Sequence, residues 1–169
     1  MVTPWMYQGG EVSEKPPKLN MFGFIYQINY TNGKKYIGKK QFHSETTQKV
    51  LKTGIPRENS QRIQKRVKMT ADDLANRTPA QVKKNVKNKM VEFEMVIKEN
   101  DWRKYNGSSK EVKGFKIESK HILEICYDKL NLTYCELKWQ LRKDVLVDDD
   151  YVNSNILGKF YVGKISKGR

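Results

Sequence analysis

Cysteine is scarce in this 169-residue chain, limited to Cys126 and Cys135. The pair has neither CxxC spacing nor a neighbouring histidine, so a disulfide framework and a thiolate metal site lack support, and two buried thiols are expected. No apolar run approaches the roughly 20 residues that cross a bilayer, and the N-terminus lacks the apolar core of a signal peptide. A soluble, cytoplasmic protein is the expectation. Internal repeats and low-complexity tracts are also missing. Acidic residues are in short supply, 19 Asp and Glu against 33 Lys and Arg, for a net charge of +14. That imbalance points to a polyanionic partner, a nucleic acid or an anionic membrane. It is also uneven: residues 39–68 hold nine Lys or Arg against Glu45 and Glu58, a net +7, half of the total excess.

What is present predicts one hydrophobic core, since 37% of the residues are apolar and the length suits a single domain. Over residues 1–21, Pro4, Gly9, Gly10, Pro16 and Pro17 rule out long regular elements and leave an N-terminal arm whose Trp5 and Tyr7 can dock on the core. Residues 22–29 are rich in strand formers, Asn32-Gly33 suits a tight hairpin, and residues 35–38 supply the partner strand. Residues 44–69, polar, basic and broken by Gly54 and Pro56, read as short helical pieces or a loop. Thr78-Pro79-Ala80-Gln81 predicts a helix start. Val82, Val86, Met90, Phe93 and Ile97 then give an apolar stripe backed by Lys83, Lys84, Lys87 and Lys89, ended by Asn100-Asp101. A turn at Asn106-Gly107, a third strand over 115–126 and a helix over 131–146 with the stripe Leu137, Leu141 and Val145 follow. A short strand near 160–165 closes the chain.

"GFIY" at residues 23–26, followed ten residues later by "KKYIG", is similar to the paired signatures of the GIY-YIG nucleases, phosphodiesterases found in homing endonucleases, restriction enzymes and DNA repair. "DWRKYNGSS", a strand ending "HILEIC", "LTYCE" opening a helix and "DDDYVN" resemble small phage-encoded members. The likeness covers most of residues 22–153, with a poorly matched basic stretch from about 44 to 100. It implies an α/β (α+β) fold, a small core with a three-stranded antiparallel sheet flanked by helices. A basic helical insertion would occupy about 44–100, all within one domain spanning 22–169.

The resemblance implies a DNA endonuclease in which one glutamate near the start of a helix holds an Mg²⁺ or Mn²⁺ ion and strand tyrosines position the attacking water. Carried across, these are Glu136 as metal ligand and Tyr26 and Tyr36 as the motif tyrosines. A hard cation favours carboxylate oxygen and keeps several waters, so a single protein ligand is chemically reasonable. Plainer readings compete. Strand tyrosines usually pack a sheet face. Thr133-Tyr134-Cys135-Glu136 is also a capping box, in which Glu136 would serve only its own helix.

Family members commonly place an arginine after the second signature; here Lys39 and Lys40 follow Gly38, and the first arginine is Arg57. Alternation puts the two lysines on opposite faces, and the parity of Lys40 with Tyr36 and Gly38 favours Lys40 unless a bulge intervenes. His43 and Tyr105 are further candidates for proton transfer or phosphate contact, and Asn153 resembles a family asparagine that supports the site. Lys49, Lys52, Arg57, Arg62, Lys65, Arg66 and Lys68 are candidate DNA-backbone contacts, joined by Ser108, Ser109 and Lys110 if a helix begins there. Cutting both strands would call for two copies. The alternative is a DNA-binding protein that keeps the nuclease shape without turnover. An RNA-binding role lacks the ring pattern of an RNA-recognition sheet.

Overall fold

The computed structural model describes residues 3–12, 21–51, 54–58, 60–107 and 109–164. Pro16, Pro17, Lys52 and Ser108, named above, lie outside them, as does the last residue of the strand expected near 160–165. The chain divides into two compact units, Met1–His43 with Glu99–Arg169, and Ser44–Lys98.

The first unit is built on a five-stranded sheet. Its strands are β1 (Trp5–Tyr7), β2 (Gly10–Val12), β3 (Gly23–Tyr30), β4 (Lys35–Gln41) and β8 (Ile117–Cys126), in the order β2-β1-β8-β3-β4. β3 lies antiparallel to both neighbours, the expected trio. Along β3, Phe24, Tyr26, Ile28 and Tyr30 face a core of Trp5, Phe42, Trp102 and Ile122. Ile25 points the other way, into Ile37, Cys126, Leu132, Cys135, Val145, Leu146 and Ile156. Period-two alternation therefore feeds two cores from one strand. The hairpin forms where expected, through a three-residue loop closed by Tyr30 N–H donating to the Lys34 carbonyl at 2.9 Å. Gly33 supplies the left-handed residue (φ 80°) that such loops require.

Three strands prove too few. Trp5 is 1% exposed and its indole N–H donates to the Trp102 carbonyl at 2.9 Å. That anchor lays β1 parallel to β8, with β2 folding back beside it. The arm so covers an edge of β8 that would otherwise stand open. Both thiols are buried as expected, and burial pushes Cys126 up to about 12.

Helix α3 (Lys129–Arg142) starts two residues earlier than the sequence suggests, because the Asp128 side chain caps it, accepting from Asn131 N–H at 2.7 Å. Its buried residues are Leu132, Cys135 and Gln140, whereas Leu141 is 56% exposed. Of the stripe Leu137, Leu141 and Val145, Leu137 packs on the core and Val145 is buried in it, so Leu141 alone is corrected. Asp144 adopts a left-handed conformation (φ 47°) just past the helix, which ends it and turns Val145 and Leu146 back onto the core. β9 (Asn155–Ile156) pairs with β10 (Phe160–Tyr161). Mixed α+β architecture is the result. No helix among the described residues is long and apolar enough to cross a membrane.

The second unit overturns the expected helical insertion. It is a three-stranded sheet, β5 (His43–Lys49), β6 (Ser60–Lys68) and β7 (Asn88–Glu99), in the order β5-β7-β6. The connection between β6 and β7 holds two five-residue helices, α1 (Ala71–Ala75) and α2 (Pro79–Lys83). α2 begins where predicted, with Thr78 and Gln81 in a reciprocal capping box. It stops after five residues, and Asn85 turns left-handed (φ 51°). The stripe fails because the same segment also carries a period-two pattern: Val91, Phe93 and Met95 lie opposite Lys65, Ile63 and Gln61 in the register with β6. Strand pairing over the whole segment overrides a short-range spacing match.

Candidate active site

β4 is the outer strand of its sheet, and its free edge is dressed by residues 150–153. Lys35 N–H donates to the Asp150 carbonyl at 2.8 Å and Val152 N–H to the Lys35 carbonyl at 2.9 Å. One residue pair further on, a side chain takes over. The Asn153 amide accepts from Ile37 N–H at 3.1 Å and donates to the Ile37 carbonyl at 2.7 Å, imitating a neighbouring strand. Asn153 is 3% exposed, so its two bonds satisfy groups that water cannot reach.

A cleft of about 360 Å³ opens along this edge, lined by Tyr36, Lys39, Ser109, Glu111, Glu136, Gln140, Asn153 and residues 154, 155 and 157. Because the cleft sits at an edge, side chains from both faces of β4 reach it. Tyr36 arrives from the face that carries Tyr26; Lys39, of opposite parity, arrives from the face packed on α3. The Lys39 ammonium lies 2.9 Å from Glu136 Oε2 and 3.2 Å from Thr133 Oγ1. Thr133 and Glu136, three residues apart, share one side of the helix. Glu136 stands about two turns into α3, whose cap is Asp128, so the capping-box reading is overturned and its carboxylate is directed to the cleft.

Lys40 keeps the parity predicted for it, but its ammonium rests 4.2 Å above the Tyr105 ring and does not line the cleft. His43, the first residue of β5, does not line it either. Tyr105 and Tyr26 meet behind Tyr36. Their hydroxyls are 3.4 Å apart and their rings 5.8 Å apart, with Tyr26 and Tyr36 rings at 6.2 Å. Tyr26 is 1% exposed, and burial, then the Tyr105 and Tyr36 hydroxyls, hold its phenol well above the ordinary range. Burial likewise pushes Tyr36 up to about 12, helped by Tyr105, Glu136 and Glu111. Both phenols are therefore proton donors at neutral pH, not phenolates.

Gly38 is what lets this stack form. A Cβ at that position would stand 2.6 Å from the Tyr26 hydroxyl oxygen and 2.9 Å from the Tyr36 ring. Gly38→Ala is expected to displace both tyrosines, costing about 1–3 kcal/mol of stability through overpacking. Thermal unfolding and the ring environment in near-ultraviolet circular dichroism would register it together; an unchanged melt and spectrum would show that the stack yields freely.

Spacing from known motifs did not single out Glu111 or Gln140. Glu111 accepts from the Ser109 hydroxyl, and this bond leads the contacts that hold its carboxyl below the usual range. No helix begins at Ser109 or Lys110; turns occupy residues 111–114. Gln140, one turn beyond Glu136, is 5% exposed, and its Oε1 has no hydrogen-bond partner. Its position i+4 from Glu136 is the signal that could have found it.

A protein-family model described as putative endonuclease segE, GIY-YIG domain, matches residues 5–156. The chain belongs to the GIY-YIG family. No curated protein and no solved structure matches it. Within this GIY-YIG domain the two signatures meet physically, the glycine of the second giving room to the tyrosine of the first. Among the described residues no three His, Cys, Asp or Glu side chains gather into a metal-binding group. The oxygen donors of the cleft include one carboxylate on α3, one on the 111–114 turn, a phenol and an amide oxygen.

Proposed function

We propose that this GIY-YIG protein is a divalent-metal-dependent DNA endonuclease, with Glu136 as the protein ligand of one Mg²⁺ or Mn²⁺ ion. The observation that carries the reading is that Glu136 and Tyr36, on separate elements, face one cleft in which a cation, the Lys39 ammonium, already lies against the carboxylate. Hard, mostly oxygen donors and a half-open site suit an ion that keeps much of its water. When bound, such an ion polarises the phosphate and makes its water more acidic.

The protein's own groups supply the rest. Tyr36, held protonated, donates a hydrogen bond that orients the attacking water or a phosphate oxygen. Tyr26 and Tyr105 fix the Tyr36 ring from behind, and Asn153 fixes the β4 edge. Lys39 replaces the family arginine as a compact positive charge beside the scissile phosphate. Lys40 and His43 act outside this cleft. For DNA backbone contacts, Lys49, Arg66, Lys68, Ser109 and Lys110 remain candidates, but Arg57, Arg62 and Lys65 are engaged within the second unit. Arg57 and Arg62 pair with Glu94, which is fully buried, Arg62 also pairs with Glu92 at 2.6 Å, and Lys65 donates to Thr47 at 2.7 Å.

One observation favours the alternative, a DNA-binding protein without turnover: Lys39 neutralises Glu136 in the absence of any arginine at the cleft among the described residues. Lys39→Met separates the two. In the endonuclease, loss of the charge is expected to slow cleavage roughly 10²-fold while the metal concentration for half-maximal rate falls, because the competing ammonium is gone. Steady-state cleavage across a Mg²⁺ titration measures both, and an unchanged rate would remove Lys39 from the chemistry.

A further inference from the structure

We infer that one end of the second unit's own sheet, where the β6–β7 connection turns through α1 and α2, is a surface that grips the backbone of duplex DNA through Arg66, Lys68, Lys83, Lys84 and Lys87. The choice of DNA among polyanions rests on the nuclease reading above.

One sheet treats its cations in two ways. Arg62, Gln64, Arg66 and Lys68 share a face of β6, opposite Glu94, Glu92, Met90 and Asn88 of β7. At the first two positions carboxylates are provided, and Arg57 and Arg62 consume them. Past that point the partners are a methionine and an asparagine, leaving Arg66 and Lys68 exposed with no side-chain bond among the described residues. Lys83, Lys84 and Lys87, on and just after α2, are exposed in the same way. Residues 66–89 carry seven Lys or Arg against Asp72 and Asp73, a net +5. Asp73 is already bound by Lys89 at 2.6 Å. Crowded like charges repel and gain nothing for the fold, so their gathering is explained by an external counter-charge.

The scaffold under them is fixed. Thr70 with Asp73 and Thr78 with Gln81 form two capping boxes. Arg77 donates to the Leu74 carbonyl at 3.0 Å and the Val86 carbonyl at 3.1 Å, and Met69 N–H donates to the Lys87 carbonyl at 2.9 Å. Arg66 and Lys87 line a shallow groove of about 500 Å³ with Asn85 and Asn88. Because the backbone that carries these cations is already held, meeting a phosphate backbone orders only side chains, and each contact releases counterions.

The test is anisotropy of a labelled duplex of about 25 bp in EDTA, over a salt series, with the full chain. Lys83→Gln/Lys84→Gln/Lys87→Gln is expected to lower the slope of log affinity against log salt by about 2.7 and weaken binding at least about tenfold near physiological salt. Lys129→Gln/Lys143→Gln/Lys159→Gln, equally exposed in the first unit, is the control and should change neither. A tip variant with the wild-type slope, or a control that loses as much, overturns the surface. Loss of slope with double-stranded RNA but not DNA overturns the choice of partner. Cleavage by the tip variant at low salt, followed in parallel, keeps the two ideas apart. Cutting without a slope change removes the surface alone, and a slope change with no cutting by either protein removes the nuclease reading alone.

Discussion

Glu136→Ala is expected to abolish cleavage, by about 10³-fold or more, while duplex affinity in EDTA stays within about threefold of wild type. The reason is division of labour. Glu136 is the one carboxylate that α3 presents to the cleft, and no cluster of acids stands by to replace it among the described residues. Binding, by contrast, is proposed to be spread over many cations. Lys39, left without its partner, is 35% exposed and can take up water, so the fold should survive. Cleavage rate, anisotropy and a thermal melt of the same preparation separate these effects. Cutting at the wild-type rate would remove Glu136 as the metal ligand.

Tyr36→Phe carries the second large effect, a fall of roughly 10² in cleavage rate with substrate affinity and melting temperature nearly unchanged. Only the hydroxyl is lost; the ring still packs against Tyr26. Because the phenol is pushed up to about 12, chiefly by burial, it stays protonated throughout the neutral range. The pH–rate profile between about 6 and 9 should therefore keep its shape in the variant and drop uniformly. Two results would count against a donor role for Tyr36. A rate within about twofold of wild type means the ring merely packs, and a wild-type inflection that vanishes in the variant means a phenolate acts as base.

The hairpin and its two tyrosines were legible because a single short stretch carries every cue: alternating aromatics, an Asn-Gly turn and strand formers on both sides. The cap of α2 was equally plain, since Thr78, Pro79 and Gln81 specify a helix start locally. Its length was not. Residues 88–99 satisfy both a helical and a strand period, and the choice is made by pairing with β6, which lies some twenty residues away in the chain. Trp5 foretold docking, but not that it would add two strands, because a parallel partner leaves no local trace.

In the site, alternation correctly separated Lys39 from Lys40. It could not say which of them matters, because that depends on β4 being the outer strand, with a cleft open to both of its faces. Glu136 stood equally for cap or cleft until Asp128 took the cap. Among the basic residues, Arg57 and Arg62 looked like any others in the sequence. Only the fold that brings Glu92 and Glu94 to them shows that they are internally committed.

The central claim is a metal-dependent cut in DNA, and it is tested most directly by incubating supercoiled plasmid and linear duplex with the purified protein in Mg²⁺, in Mn²⁺ and in EDTA. Nicked or linear product that forms with either ion and disappears in EDTA is the expected result. Retardation of both DNAs on a gel with no cleavage under any metal would contradict it and leave a DNA-binding protein that keeps the GIY-YIG fold.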